Sequence, residues 1–394
     1  MEKDPCWRIR RAALSVVANI YSPDAPRGQD RPAVLPLEPA HDGRADESAV
    51  TSDEDGGIRR RRWLVGVASG AVLAAGAGGA AWWWTRDPAV FGGLPGTVVR
   101  FATVEQGRAV LGAQDDWTAA TSALQRAALM GMDPPVHRRA FARFQAEQVL
   151  PWPPAEQARW RRALQALVPA FERLSVPLPA EVLLVNTTGR ESENIPHSRA
   201  NAIVLPTARI DTQNYRDEEV LAHEFFHVMT RHLPAFATQL YATIGFEPAP
   251  ELQWPQPWTE LRIANQDAPH HRHLMRLTID GAPRAVMPVV VASHAPLDLA
   301  GGETMVGVME QRLLEVRVDA EAKASVPVMR DGEPVWHEPE ATADYLRRLG
   351  GNTDYVLHPE ETLADNFMLM VSDRPVPNPS LHKRIEAVFA SRER

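Results

Sequence analysis

VLAHEFFHVMTRH, residues 220–232, carries the spacing from which the rest of the chain is read. Within it, His223-Glu224-Phe225-Phe226-His227 forms an H-E-x-x-H pattern. Residues four apart on a helix point to one side, so His223 and His227 aim two imidazoles at one point. Glu224 follows, rotated by about 100°, and stands beside that point rather than on it. A carboxylate there can hold a water acidified by zinc, take its proton and pass it to a leaving amine. Val220, Leu221, Phe225, Phe226, Val228 and Met229 are apolar, which predicts a packed helix over about 216–232. Asp217, Glu218 and Glu219 suit its first turn, Asp211 or Asn214 is a candidate cap, and Pro234 ends it. The competing reading is a half-buried structural helix with incidental histidines.

A metal needs a third protein ligand. The extended pattern H-E-x-x-H-x-x-G-x-x-H asks for Gly at 230 and His at 233, and this chain has Thr230 and Leu233. The other common solution is a glutamate on a later helix, and HPEETLADNFMLMV (358–371) fits it. Pro359 starts a helix there, and Glu361 and Asp365 lie four apart on one face. Glu361 can bind the metal while Asp365 orients a ligand histidine through its other ring nitrogen. Glu360 is the nearest competitor for the ligand position.

HEFFH with a downstream E-x-x-x-D helix resembles the gluzincin type of zinc metallopeptidase. PEETLADNF is similar to the matching segment of anthrax-lethal-factor-like catalytic domains and related bacterial proteins. The resemblance covers the two motif helices and the NAIVLP run at 201–206, the segment suited to an edge strand above the site. It implies Zn2+ held by His223, His227 and Glu361, Glu224 as general base and Asp365 behind a ligand histidine. It also implies a Tyr or His oxyanion donor, for which Tyr355 is the candidate. More than 130 residues separate the two motifs, which makes about 248–335 an insertion.

The chain has 394 residues, 44% hydrophobic and 23% charged, with a net charge of -8, which argues against a broad basic nucleic-acid-binding face. Its lone cysteine, Cys6, excludes an internal disulfide and a Cys-based metal site. Residues 1–57 read as a largely disordered cytoplasmic tail. RRRRW (59–63) precedes LVGVASGAVLAAGAGGAAWWW (64–84), an uncharged stretch about long enough to span a bilayer at ~1.5 Å per residue. The arginines and tryptophans suit its two ends, so 58–86 is expected to be a transmembrane anchor in a bacterial inner membrane, N-terminus cytoplasmic and the remainder outside. A cleaved twin-arginine-type signal and a buried soluble helix are the alternatives.

The expected class is α+β: a single transmembrane helix, then a mostly helical zincin-like domain with a small mixed sheet and a β-rich insertion. Residues 97–180 form its helical N-terminal part, with helices at 105–130, 135–149 and 154–175, and 181–394 its peptidase core. The expected function is a membrane-anchored zinc-dependent metallopeptidase acting on a protein or peptide substrate. The alternative is a non-catalytic zinc-binding ectodomain that docks an envelope partner. His270, His271 and His273 suggest a solvated loop before a second metal site, His358 a helix cap, and Trp254 and Trp258 local packing before a peptide-binding surface.

Overall fold

The computed structural model describes residues 89–207, 215–256 and 258–392. The expectations for the tail (1–57), the anchor or export signal (58–86) and the caps Asp211 and Asn214 lie outside the described residues. Among the described residues, no helix is long and apolar enough to cross a membrane. This corrects the expected single-pass fold and the inner-membrane placement that depended on it. The longest described helix, the 21-residue Pro154–Leu174, is apolar along one face only, whereas a bilayer requires apolar residues all round.

The chain is α+β, but two six-stranded sheets correct the expectation of a mostly helical domain. The first sheet contains β1 (Val90–Leu94), β2 (Thr97–Phe101), β3 (Val149–Leu150), β4 (Glu181–Thr187), β5 (His197–Arg199) and β6 (Ala202–Pro206). Its order is β1-β2-β4-β6-β5, with β3 on β4. The β2–β4 and β4–β6 pairs are parallel, and β5 runs antiparallel to β6. The continuous apolar run of β4 reflects burial on both faces. Val182 and Leu184 join the main core, while Leu183 and Val185 join a smaller cluster with Leu111 and Val149.

The N-terminal helices are α1 (Val104–Leu111), α2 (Asp116–Ala120), α3 (Ala123–Met130), α4 (Arg138–Glu147) and α5 (Pro154–Leu174). The single helix expected at 105–130 is thus three. Asp115 and Ser122 accept from the N–H groups of Thr118 and Gln125, and each caps a new start inside an Ala-rich run. In the 21-residue α5, Trp160, Leu164, Leu167, Phe171 and Leu174 face the core.

The motif helix α6 (Asp217–His232) leads into α7 (Pro234–Ala242). Phe171, Phe225, Phe226 and Phe367 interlock, with ring centroids 5.4–5.8 Å apart. They fasten α5 and α6 to a later helix that carries Phe367.

The insertion builds the second sheet from β7 (Phe246–Pro248), β8 (His273–Ile279), β9 (Ala282–Ala292), β10 (Met309–Asp319), β11 (Ala324–Pro327) and β14 (Trp336–His337). All its pairs are antiparallel. Beside it lie a short helix α8 (Trp258–Leu261) and the small hairpin β12 (Met329–Arg330) and β13 (Glu333–Pro334). Asp280 and Gly281 have φ of 50° and 74°, the positive values a two-residue hairpin between β8 and β9 requires. Met275, Leu277, Val286 and Leu313 enter the same core as the motif helix, so the insertion is packed onto the first sheet's core. Three helices close the chain: α9 (Ala343–Leu349), α10 (Pro359–Val371), which carries Phe367, and α11 (Pro379–Ser391).

Candidate metal centre

The site lies where α6 and α10 pack together. Two ion pairs fix the first turn of α6. Arg374 holds the buried Glu219 through two bonds of 2.6 Å, and Arg159 holds Asp217 through bonds of 2.6 and 2.7 Å. Glu219 also accepts the N–H of Arg216, which is the cap residue in place of the expected Asp211 or Asn214. At the start of α10, His358 accepts the N–H of Glu360 through Nδ1, and Pro359 takes the first helical position.

The two helices bring the sequence-predicted residues together. His223 donates from Nδ1 to Asp365 Oδ1 at 3.0 Å, and its Nε2 lies 3.2 Å from Glu361 Oε2. His227 donates from Nδ1 to Glu360 Oε1 at 2.8 Å, and its Nε2 lies 3.6 Å from the same Glu361 oxygen. Each imidazole therefore has one nitrogen on a supporting carboxylate and the other aimed at a shared point. His227 Nε2 is buried and makes no hydrogen bond. His223, His227 and Glu361 together could hold a metal ion.

Glu224 stands beside this group, and its buried Oε2 has no partner. Tyr355 lies over His223, with ring centroids 6.1 Å apart and planes at 24°. Asp365 is held from behind by Thr353 Oγ1 at 2.5 Å.

Several residues at the site escaped sequence reasoning. Glu360 is the carboxylate behind His227, not a competing ligand. It accepts from Thr230 Oγ1 at 2.5 Å and from the Tyr241 hydroxyl. The adjacent acids Glu360 and Glu361 diverge round the helix to serve different atoms. Asn265 donates from Nδ2 to Glu361 Oε1 at 2.5 Å, and Asp267 forms a second close group with Glu224 and His227, their ligand atoms within 4.8 Å. Both come from loop positions in the insertion, which no periodicity marks. The edge strand is β5 rather than the expected 201–206 run, which is β6 and lies one strand further in.

Of the remaining histidines, His270 pairs with Glu251 and Asp116, and His273 meets Thr238. Neither they nor His271 belong to either metal-capable group among the described residues. His358 is a helix cap. Trp254 packs on Arg262 and His271, and Trp258 on Trp336, so both serve local packing.

A cleft of about 490 Å3 opens over the centre. Leu129 of α3, Leu357 and four residues of the insertion, Ile263, Val290, Met305 and Met309, give it an apolar wall. Tyr215, Thr353 and Arg374 line it elsewhere.

Charge is concentrated at low solvent access. Burial and the neighbouring Asp267 push the Glu224 carboxyl well above the usual carboxylate range. Burial opposes the charged form of His227, but Asp267, Glu361 and Glu360 outweigh it and bring its pKa up to about 9. Burial likewise opposes the His223 cation, and hydrogen bonds to Asp365 and Glu361 more than offset it. Glu361 is held well below the carboxylate range, because the two imidazoles overcome the cost of its burial. Burial and the surrounding carboxylates raise the Tyr355 phenol and keep it a neutral donor. Two imidazoles and a carboxylate focused on one point leave a place where a divalent cation can compete with protons. No protein-family model, curated protein or solved structure matches this chain.

Proposed function

We propose that this protein is a zinc-dependent peptidase of the kind the gluzincin resemblance implies. One observation carries the reading: two imidazole nitrogens and a carboxylate oxygen converge beside an unpartnered, buried glutamate. A tetrahedral ion with bonds of ~2.0–2.1 Å sets its donors about 3.3 Å apart. The 3.2 and 3.6 Å separations from Glu361 Oε2 suit that ion. The set of two nitrogens and one oxygen suits zinc better than calcium or magnesium, which prefer oxygen throughout.

His223, His227 and Glu361 would hold the zinc. When bound, it would acidify water and polarise a peptide carbonyl. Glu224 then accepts the water's proton on its free Oε2 and delivers it to the leaving amine. Asp365 and Glu360 keep the Nδ1 protons of the two histidines, which fixes the tautomer that leaves each Nε2 free. The Tyr355 hydroxyl is available to donate to the oxygen that gains charge. The apolar wall accepts an apolar side chain of the peptide and excludes water around the reacting bond.

Elemental analysis of purified protein, with cleavage of an unstructured protein substrate in the presence and absence of a chelator, tests the reading. About one zinc per chain and chelator-sensitive cleavage are expected. Absence of bound zinc after loading would refute it. Zinc uptake with no cleavage of any unstructured substrate would favour the docking alternative.

A further inference from the structure

The insertion reaches the metal centre through one short turn, residues 263–268. Its backbone is clamped at Ala264. The Ala264 N–H donates to Gln125 Oε1 at 2.9 Å, and the Ala264 carbonyl accepts from Gln125 Nε2 and Trp117 Nε1 at 2.9 and 3.0 Å. Asn265 follows, with Nδ2 on Glu361 and Oδ1 accepting the Asp267 N–H at 2.8 Å. The Asp267 side chain then crosses to the first sheet. Its Oδ1 accepts from the Ser198 N–H at 2.7 Å and from Ser198 Oγ at 2.6 Å. Arg231 of the motif helix fastens the crossing, donating to Ser198 Oγ at 2.9 Å and to the Asp267 carbonyl at 3.2 Å.

Ser198 is the middle residue of β5, the outer strand of its sheet. In an antiparallel ladder, alternate residues turn their N–H groups away from the partner strand. Ser198, opposite Ile203, is such a residue, and its outward N–H is the donor an extended peptide needs to join the edge. The carboxylate that occupies this donor also lies within 4.8 Å of the ligand atoms of Glu224 and His227. One side chain thus holds both the strand's outward donor and the space beside the base.

Resting on the peptidase reading, we propose that Asp267 is a built-in occupant of the substrate's position. An extended peptide reaches the Ser198 N–H only by displacing the Asp267 carboxylate and supplying a backbone carbonyl in its place. Ala264 is tied through both its N–H and its carbonyl, and Asn265 through both ends of its side-chain amide, so the displacement is a swing of the Asp267 side chain, not an opening of the turn. The arrangement lowers the affinity of loosely extended chains and selects peptides that bring enough further contacts to make the exchange.

The test compares two zinc-directed probes on zinc-loaded protein: acetohydroxamate, and a tripeptide hydroxamate long enough to lie along β5. Acetohydroxamate reports what loss of the Asp267 charge does to Glu224 and His227, and in Asp267→Ala the tripeptide probe is expected to gain at least about tenfold in affinity relative to it. Asp267→Asn loses the same charge but keeps an oxygen for Ser198, and is expected to keep the parent's ratio of the two affinities. In zinc-free protein, hydrogen exchange at the Ser198 amide should accelerate in the alanine variant alone. If the alanine variant does not fold, Asp267→Ser, shorter by one bond, is read in the same way. An unchanged ratio of the two affinities in a folded, zinc-bound variant overturns the proposal and leaves the peptidase reading standing. So does an equal gain in Asp267→Asn, which would assign the effect to charge rather than occupancy. Failure of the parent protein to take up zinc removes both.

Discussion

His223 and His227 present the same nitrogen to the same carboxylate oxygen, yet their supports differ. His223 borders the cleft with 16% of its side chain exposed, and Asp365 behind it leans on Thr353. His227 is wholly buried, and Glu360 behind it is shared with Thr230 and Tyr241. The first support lies near solvent that can replace a lost partner. The second is a closed network in which every removed group leaves another stranded. One side of the centre is therefore open to the cleft, and the other also carries part of the core.

The widest effect should come from a residue that belongs to neither support. Glu224→Gln keeps the shape of the site and removes the proton acceptor. We expect kcat to fall about 10²–10⁴-fold with zinc content unchanged. Loss of zinc together with activity would mean that Glu224 belongs to the ligand set, and the two-histidine comparison would have to be redrawn. Tyr355→Phe should follow, with kcat down about 10²–10³-fold if its hydroxyl meets the developing charge.

The direct test removes each support in turn. Both Glu360→Ala and Asp365→Ala are expected to weaken zinc binding about 10–100-fold, because each frees one imidazole to rotate. They should part company in the stability of the metal-free protein. Glu360→Ala strands His227, Thr230 and Tyr241 in the core and should cost about 3–5 kcal/mol. Asp365→Ala should cost closer to 1 kcal/mol, since water from the cleft can reach His223. Denaturant titrations of the two apoproteins measure this, and equal losses would break the comparison.

The same difference governs what the sequence could reveal. Asp365 was legible because it lies four residues after Glu361, and helical geometry puts such a pair on one face. Glu360 lies on the same helix, but its partners Thr230 and Tyr241 lie on two other helices, so nothing in its own segment marks its role. The H-E-x-x-H spacing fixed His223, Glu224 and His227 through the local periodicity of α6. Asn265 and Asp267 had no such signal, because loop residues take their roles from the fold that delivers them. The β-rich insertion was visible as runs such as 285–293, but that it walls the cleft depends on which face of its sheet meets the core. The three-residue β5 was missed because it is too short to show alternation. The helical over-reading of 105–130 arose because Asp115 and Ser122 interrupt an otherwise helical composition with caps.

Acidity offers a weaker probe of the buried side. In metal-free protein His227 titrates at about 9, against ~6.5 for an unfolded histidine. A raised histidine contributes stability that is fully present below ~6.5 and disappears as pH rises through about 9. Glu361 acts in the opposite sense. Its depressed pKa contributes above ~4.3, the unfolded value, and is lost as pH falls. The apoprotein should therefore be most stable between the two unfolded values and lose on the order of 3 kcal/mol by pH 10 through His227. Zinc binding should strengthen over the same rise, since the metal no longer competes with protons. Denaturation at pH 5.5, 7.5 and 10 measures the profile, and an apoprotein that gains stability from 7.5 to 10 would contradict it.

The smallest change isolates the network from the metal. Tyr241→Phe removes one hydroxyl from Glu360 and leaves Thr230 and His227 in place. The ring keeps its edge against His273, 4.7 Å between centroids, so little packing is lost. The carboxylate loses one of its three partners while it remains buried, which should cost about 1–2 kcal/mol of stability. Zinc affinity and kcat should move less than about threefold, because the His227 Nδ1 proton still has its acceptor. A large loss of zinc affinity with unchanged stability would show that Tyr241 holds Glu360 for the metal rather than for the core. The buried side would then resemble the side of His223, and the distinction between the two supports would disappear.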